Sequence, residues 1–177
     1  MSSNQAPKNW MVPVGLFSLG VSIFLLSGFL YGAISIAPFT AFGLIAGGAG
    51  LLIAGYWAFR ADNIFGGVSF STIGALFAAG AFYAWIFLPN SKNPDPDISW
   101  TLLAVSIVVL FLTIASFKAN LPNVARMLWG LLFLTFFVDW SSIAFHVQSL
   151  DKVAGVIGII TAIFAWLGAL NVLRAEL

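Results

Sequence analysis

The chain has 177 residues, of which 61% are hydrophobic and only 7% are charged, and its formal net charge is +1. A water-soluble domain carries roughly 25% charged residues, so seven basic and six acidic side chains are too few to cover a soluble fold of this length. Nucleic-acid binding has no support, because it needs clustered Lys and Arg. Composition therefore predicts an integral membrane protein, with the lipid bilayer as its surroundings.

Six apolar runs are long enough to cross that bilayer, since a spanning helix needs about 20 apolar residues. None of the runs alternates between apolar and polar residues as a membrane strand would. We predict an all-α polytopic membrane protein, a single domain over residues 1–177 folded as a six-transmembrane-helix bundle. The predicted helices cover residues 10–31, 38–59, 64–88, 98–117, 124–146 and 153–173.

The connections between these helices are short. The longest covers residues 89–97 and reads P-N-S-K-N-P-D-P-D, which is polar and rich in proline. No segment leaves room for a soluble domain, so we expect any function to lie inside the bundle.

The distribution of Lys and Arg predicts the orientation. With six spans, both termini lie on the same side of the membrane. The side that carries more Lys and Arg is favoured as the cytoplasmic side. We therefore expect both termini to be cytoplasmic, in the inner (plasma) membrane of the cell. That side carries five basic residues, Lys8, Arg60, Lys118, Arg126 and Arg174, against Lys92 and Lys152 on the other.

Few side chains could carry out catalysis. His146 is the single histidine, there is no cysteine, and the chain has no G-x-S-x-G motif. Asp139 is the one carboxylate within a predicted span, so a pair of intramembrane carboxylates is not available. We expect no enzyme activity, no cofactor and no metal site.

Asp139 is nevertheless informative, because a carboxylate at the centre of a membrane helix costs roughly 2.5–3.5 kcal/mol on insertion scales. His146 lies seven residues further on and projects from the same side of a helix. One hypothesis makes the two residues a relay for a proton or a solute. The alternative is that helix five ends early, which places Asp139 at headgroup level and His146 in a loop.

The start of helix three, residues 62–74, reads D-N-I-F-G-G-V-S-F-S-T-I-G. Asp62 or Asn63 can cap the helix. The hydroxyls of Ser69 and Thr72 either bond back to their own helix backbone or offer donors and acceptors to a permeating solute. The candidate polar residues of a solute path are Asn63, Ser69, Thr72 and Asp139.

Motifs in the first half of the chain resemble the acetate uptake transporter family, of the bacterial succinate–acetate permease type. The family's N-P-A-P-L-G-L at the start of helix one corresponds to W-M-V-P-V-G-L at residues 10–16. Its G-G … A-G pattern lies in helix two, and its G-N-T-F-G-x-T-x-F-x-S-Y-G pattern opens helix three. The matching residues here are Pro13, Gly15, Leu16, Gly47, Gly48, Ala54, Gly55, Asn63, Phe65, Gly66, Phe70 and Gly74.

This resemblance implies a six-helix protomer, a homohexamer and a pore within each protomer. In the family the pore narrows at apolar side chains from helices one, three and five, which by position become Leu19, Ile73 and Leu132. The solute would be acetate or a similar small monocarboxylate.

Two rival interpretations stay open. A urea or short-amide channel would also be built from six short helices in a hexamer. A non-transporting membrane scaffold or stress protein would need no path at all. The feature that favours transport is the glycine and hydroxyl face of helix three.

Overall fold

The structure is a computed structural model that describes residues 11–91 and 94–176. Within those residues every regular element is a helix, which confirms the predicted fold class, and six helices are long and apolar enough to cross a membrane. They are α1 (Met11–Tyr31), α2 (Ala37–Arg60), α3 (Ile64–Asn90), α4 (Pro94–Lys118), α5 (Asn123–Phe145) and α6 (Ser149–Glu176).

Two helices contain segments of other helical types. The middle of α2 is π-helical over Gly43–Gly50. The end of α3 is π-helical over Tyr83–Phe87 and closes with a tight 3₁₀ turn over Leu88–Asn90. Both helices nevertheless continue through these segments, so that each is a single span.

The described helices differ from the predicted ones mainly at polar ends. The fourth helix begins at Pro94 rather than at residue 98, because proline is tolerated in a first turn and Asp95 and Asp97 favour the positive end of a helix. The sixth begins at Ser149 rather than at residue 153, with Asp151 in its first turn. The predicted start at Trp10, Lys8 and Lys92 lie outside the described residues.

The six helices pack as a ring. Consecutive helices contact one another, and α1 closes the ring by packing along α6; the slightest of these contacts is between α3 and α4. Helices α1, α3 and α5 face one another across the centre through long side chains rather than through their backbones. Leu19, Ile73 and Leu132 belong to the buried cluster that fills this centre.

Large apolar side chains cover the outside of the ring. In water such a surface would be an aggregation site, whereas lipid matches it. Examples on five different helices are Phe24, Ile45, Trp85, Phe111 and Ile163.

Small residues allow the neighbouring helices to approach closely. A side chain on Gly155 would lie 2.8 Å from both the carbonyl oxygen of Ser27 and the amide nitrogen of Tyr31. On the other side of the ring, a side chain on Gly74 would lie 3.0 Å from the amide nitrogen of Leu52. These contacts are between backbones, which a side chain cannot enter without moving a helix.

We predict that Gly155→Ala destabilises the protein by about 1–3 kcal/mol, because the added methyl group must displace the α1 backbone. Gly130→Ala is the matched control, since nothing lies within 4 Å of a side chain at that position in α5. Helix propensity makes the control neutral or more stable by up to about 1 kcal/mol. Thermal unfolding in detergent measures both; equal melting temperatures would contradict the close α1–α6 contact.

Candidate solute path

A cavity of about 210 Å³ lies at the end of the ring where α1, α3 and α5 begin and α6 ends. We call it the apolar cavity, because most of its lining is aliphatic or aromatic. None of the described residues that line it is charged, and its polar side chains are few. They are Asn63 and Ser69 from α3 and its cap, and Asn171 from α6.

Asn63 positions the rim of this cavity. Its side-chain oxygen accepts a hydrogen bond of 2.8 Å from the backbone N–H of Gly66, so Asn63 is the helix cap. Asp62 precedes it in a left-handed conformation with φ 56° and takes no part in the cap. Beside the cap, the ring of Phe65 meets the ring of Trp129 edge-on, with 5.7 Å between the ring centres. This contact joins α3 to α5.

Directly beneath the apolar cavity lies a layer of apolar side chains. Leu19, Ile73 and Leu132 each follow a cavity-lining residue of their own helix by about one turn, after Leu16, Ser69 and Leu128 respectively. Because α1, α3 and α5 run in the same direction, the three side chains lie at a similar depth. None is more than 1% exposed.

The motif residues of helix one and helix three meet above this layer. A side chain on Gly15 would lie 2.9 Å from the ring of Phe70, so Gly15 leaves the space that this ring fills. Pro13 is buried in the first turn of α1, where proline is tolerated. A side chain on Gly66 would lie 2.8 Å from the side-chain amide nitrogen of Asn63, so Gly66 is packed against its own cap.

The two motif glycines of helix two have packing roles. A side chain on Gly47 would lie 2.7 Å from the hydroxyl of Ser22 and 2.9 Å from Cβ of Phe77. One on Gly48 would lie 2.9 Å from the methyl group of Ala78. Both therefore set how closely α2 approaches its neighbours α1 and α3.

The two predicted hydroxyls of helix three, those of Ser69 and Thr72, do not act together. Ser69 is buried, lines the apolar cavity and donates a 3.4 Å hydrogen bond to the carbonyl oxygen of Gly66, as the backbone-bonding alternative expected. Thr72 is half-buried and does not line the cavity. Three residues rotate a helix by about 300°, which carries Thr72 off the cavity-facing side.

Below the apolar layer, buried polar side chains lie among the apolar ones. Ser22, Thr135 and Thr161 are fully buried. Ser22 and Thr135 each lie three residues beyond the layer residue of their own helix, and α6 places Thr161 beside Thr135. Thr135 and Thr161 lie 3.3 Å apart, oxygen to oxygen, and each also donates to its own helix backbone. The sequence prediction omitted all three residues; the signal for Thr135 was its position three residues after Leu132.

A second cavity of about 210 Å³ lies at the opposite end of the ring, and we call it the polar cavity. It is built by the start of α4, the end of α5, the connection that follows and the start of α6. Its lining residues are Asp95, Ser142, Ile143, His146, Gln148 and Asp151.

The structure contradicts one part of the early-end alternative for Asp139 and His146 and supports the other. Helix α5 continues unbroken to Phe145, so the interpretation that places Asp139 beyond an early helix end is wrong. Asp139 is instead 5% exposed, one turn inward from Ser142. His146 ends the helix in a left-handed conformation with φ 55° and is exposed, as the loop alternative expected.

A ring of apolar helices with a cavity at each end and a side-chain layer between them defines a multi-pass membrane protein, with six helices able to cross the bilayer. Residues 7–176 match the description "GPR1/FUN34/yaaH family", and the chain belongs to this family. The resemblance seen in the motifs is thereby confirmed.

Several known proteins are similar to this chain. It is 28% identical over 170 residues to "Accumulation of dyads protein 2" and 29% identical over 167 residues to "Ammonia transport outward protein 2", both of Saccharomyces cerevisiae. Each comparison covers 89% of this chain and 58% of the yeast protein. It is also 30% identical over 131 residues to "Acetate transporter protein patA" of Penicillium expansum, covering 67% of this chain and 53% of that protein.

The chain thus spans only somewhat more than half the length of the relatives it matches. Among solved structures, the bacterial acetate channel SatP superposes with a TM-score of 0.85 at 20% identity, covering 94% of this chain and 93% of the channel. At that identity the likeness shows the shared fold.

We predict that Asn63→Ala lowers the stability of the protein by about 0.5–2 kcal/mol, because the N–H of Gly66 loses its acceptor. Asn63→Ser is the matched control, since a serine hydroxyl caps a helix about as well as an asparagine. The melting temperature in detergent measures the change. A serine variant that melts as low as the alanine variant would show that the amide acts other than as a cap.

Proposed function

We propose that this protein passes acetate or a similar small monocarboxylate across the membrane, through a path within each protomer. The observation that carries the proposal is the apolar layer of Leu19, Ile73 and Leu132 between two cavities at opposite ends of one ring. Apolar constrictions of this kind gate by excluding water. Family membership, the relative named as an acetate transporter and the acetate-channel fold all support it.

The charge of the path favours a solute with one carboxyl group. Of the described residues that line either cavity, none is Lys or Arg, so a dicarboxylate would find no cation for its two charges. Asn63 and Ser69 offer polar contacts at one end of the path, and Asp139 lies near the other.

We further propose that the protein is not an enzyme. Catalytic hydrolysis by a hydroxyl needs a neighbouring base that accepts its proton. Ser142 lines the same cavity as His146, but its hydroxyl donates to the carbonyl oxygen of Val147 at 3.0 Å. That bond commits the hydroxyl to closing the turn after α5.

The proposed orientation places both termini in the cytoplasm and the protein in the inner (plasma) membrane. The described basic residues at the apolar-cavity end are Arg60, Lys118, Arg126 and Arg174, whereas Lys152 is at the polar-cavity end. An excess of Lys and Arg favours the cytoplasmic side. The apolar cavity then faces the cytoplasm and the polar cavity faces outward.

The test of function is the flux of labelled acetate and of labelled urea into liposomes that contain the purified full chain, corrected for protein-free liposomes. We expect the protein to accelerate acetate and not urea. Acceleration of urea alone would replace the proposal with an amide channel. No acceleration of either solute would favour a membrane scaffold.

The apolar layer makes a sharper prediction. Ile73→Trp should reduce acetate flux by about tenfold or more, because the larger ring closes the constriction. Ile53→Trp is the control, since Ile53 is 52% exposed on the outside of α2. Ile73→Ala should instead raise flux and admit a longer acid such as butyrate. Equal flux through both tryptophan variants would place the path elsewhere.

We also propose that six protomers assemble, as the family resemblance implies. Large apolar side chains along the outer face of α2, including Ile45, Ile53 and Trp57, offer a surface for such contacts. Light scattering in detergent, corrected for bound detergent, should give six times the protomer mass of 18.9 kDa. A protomer-sized particle that still carries acetate would contradict the assembly and leave the path intact.

A further inference from the structure

The turn between α4 and α5 carries two basic side chains that lie outside the proposed solute path. Lys118 is the last residue of α4 and is exposed, and Arg126 belongs to the start of α5 and is half-buried. Other residues of the same turn, among them Leu121 and Pro122, line the apolar cavity, whereas Lys118 and Arg126 do not. The two cations are therefore available to something outside the ring rather than to a solute within it.

The guanidinium of Arg126 is held in place beside Lys118. Its Cζ lies over the ring of Phe117, 5.6 Å from the ring centre, and Phe117 directly precedes Lys118. The Nε of Arg126 is buried and has no hydrogen-bond partner among the described residues. A cation–π contact orients a charge without neutralising it. The side chain thus keeps its positive charge in a fixed position next to a second one.

The surrounding sequence offers these cations no acid. Residues 98–138, which include nearly all of α4 and the first part of α5, contain no Asp or Glu. The negative end of the α4 dipole favours Lys118, but Arg126 lies near the positive end of α5, where a cation is disfavoured. Helix electrostatics therefore account for Lys118 and not for Arg126. An anion from outside the chain would balance both charges.

A stripe of exposed apolar side chains on α4 leads to Lys118. Ile107, Phe111 and Ile114 are each at least 46% exposed. Steps of four, three and four residues along the series that ends at Lys118 place all four on one face of the helix. From Ile107 to Lys118 the helix rises about 16 Å, close to half of the roughly 30 Å hydrocarbon core. The stripe therefore has the length of one leaflet and carries positive charge at its polar end.

We propose that this stripe, with Lys118 and Arg126 at its polar end, binds one anionic phospholipid per protomer. The phosphate oxygens of the lipid accept hydrogen bonds from the guanidinium and the ammonium group, and an acyl chain lies along the stripe. Basic side chains next to membrane helices recognise anionic headgroups in this way, and a planar guanidinium matches the geometry of a phosphate. The site lies outside the solute path, so the inference does not depend on the proposed function.

Charge favours a lipid over a second copy of the chain as the occupant. Two copies that met through this same face would bring Lys118 and Arg126 of one against those of the other, and like charges repel. A phospholipid with one net negative charge instead supplies the missing anion, and its chain matches the apolar stripe.

The experiment is native mass spectrometry of the purified full chain in detergent, titrated with dioleoylphosphatidylglycerol or with dioleoylphosphatidylcholine. The two lipids have the same chains, but only the first has a net negative charge. The wild type should bind one phosphatidylglycerol per protomer, with a Kd roughly 25-fold below that for phosphatidylcholine, because each cation contributes about fivefold. Lys118→Gln and Arg126→Gln should each raise the phosphatidylglycerol Kd about fivefold and leave the phosphatidylcholine Kd unchanged.

Arg60→Gln is the matched control. Arg60 is exposed at the same end of the ring, but it belongs to α2, which does not pack against α4. The substitution removes the same charge, and at physiological salt the phosphatidylglycerol Kd should change by less than about twofold, because distant surface charges are screened. A second control adds glycerol 3-phosphate, which has the phosphate and no acyl chain, and at millimolar concentration it should not displace the lipid.

Four results would overturn the inference. They are equal affinity of the wild type for the two lipids, a preference for phosphatidylglycerol that survives both substitutions, displacement of the lipid by glycerol 3-phosphate, and loss of the oligomer mass together with lipid binding. The last result would show that the face is a contact between copies. Lys118 is exposed, so Lys118→Gln remains the test if Arg126→Gln fails to fold. Absence of acetate flux would contradict the proposed function and leave this lipid site standing.

Discussion

Inside a bilayer, apolar side chains gain little by leaving lipid for the protein interior, so this bundle depends on close contact between helix backbones at small residues. Gly155 lies against the backbone of α1, and Gly74 lies against that of α2. These contacts hold α6 against α1 and α3 against α2. The rest of the architecture follows, because a ring held at its perimeter leaves a centre that only side chains can fill.

Other small residues position the aromatic rings that lie next to the apolar layer. Gly15 leaves room for the ring of Phe70, and Gly47 brings α2 against Ser22 and Phe77. Phe77 in turn meets Phe136 of α5 at 6.4 Å between ring centres, beneath the level of Ile73. A motif glycine on one helix and an aromatic ring on another therefore pack as one unit. Enlarging the glycine would move the ring, so the packing of the helices and the position of the rings near the apolar layer depend on each other.

The spans were predictable because hydropathy and length suffice to find them, and Asn63 was predictable as a cap because its chemistry is local. The inward face of each helix was harder. A lipid-facing side is as apolar as the core, so no amphipathic stripe marks which residues point inward. Leu19 and Ile73 could be chosen only through the family motifs, whereas the pair of Thr135 and Thr161 depends on the register between α5 and α6, which no local pattern reveals.

The end of α5 shows the same limit. The polar residues after Asp139 were compatible with an early helix end, and hydropathy alone cannot exclude it. The helix in fact continues until His146 adopts a left-handed conformation, which Ser142 supports by bonding to Val147. The polar first turn of α6 then brings Asp151 back towards Asp139. The polar cavity thus requires a turn geometry and two helix ends together, none of which could be read from a single segment.

The two ends of the proposed path differ in a way that bears on its selectivity. The apolar cavity offers a solute few hydrogen bonds, so it holds the solute weakly, and weak binding is a requirement for rapid conduction. Discrimination by strong polar recognition is then not available at that end. What remains is the width of the layer formed by Leu19, Ile73 and Leu132 and the charge of the opposite cavity. On the proposed function, two acids of equal size and equal charge should therefore pass at similar rates, because neither feature distinguishes between them.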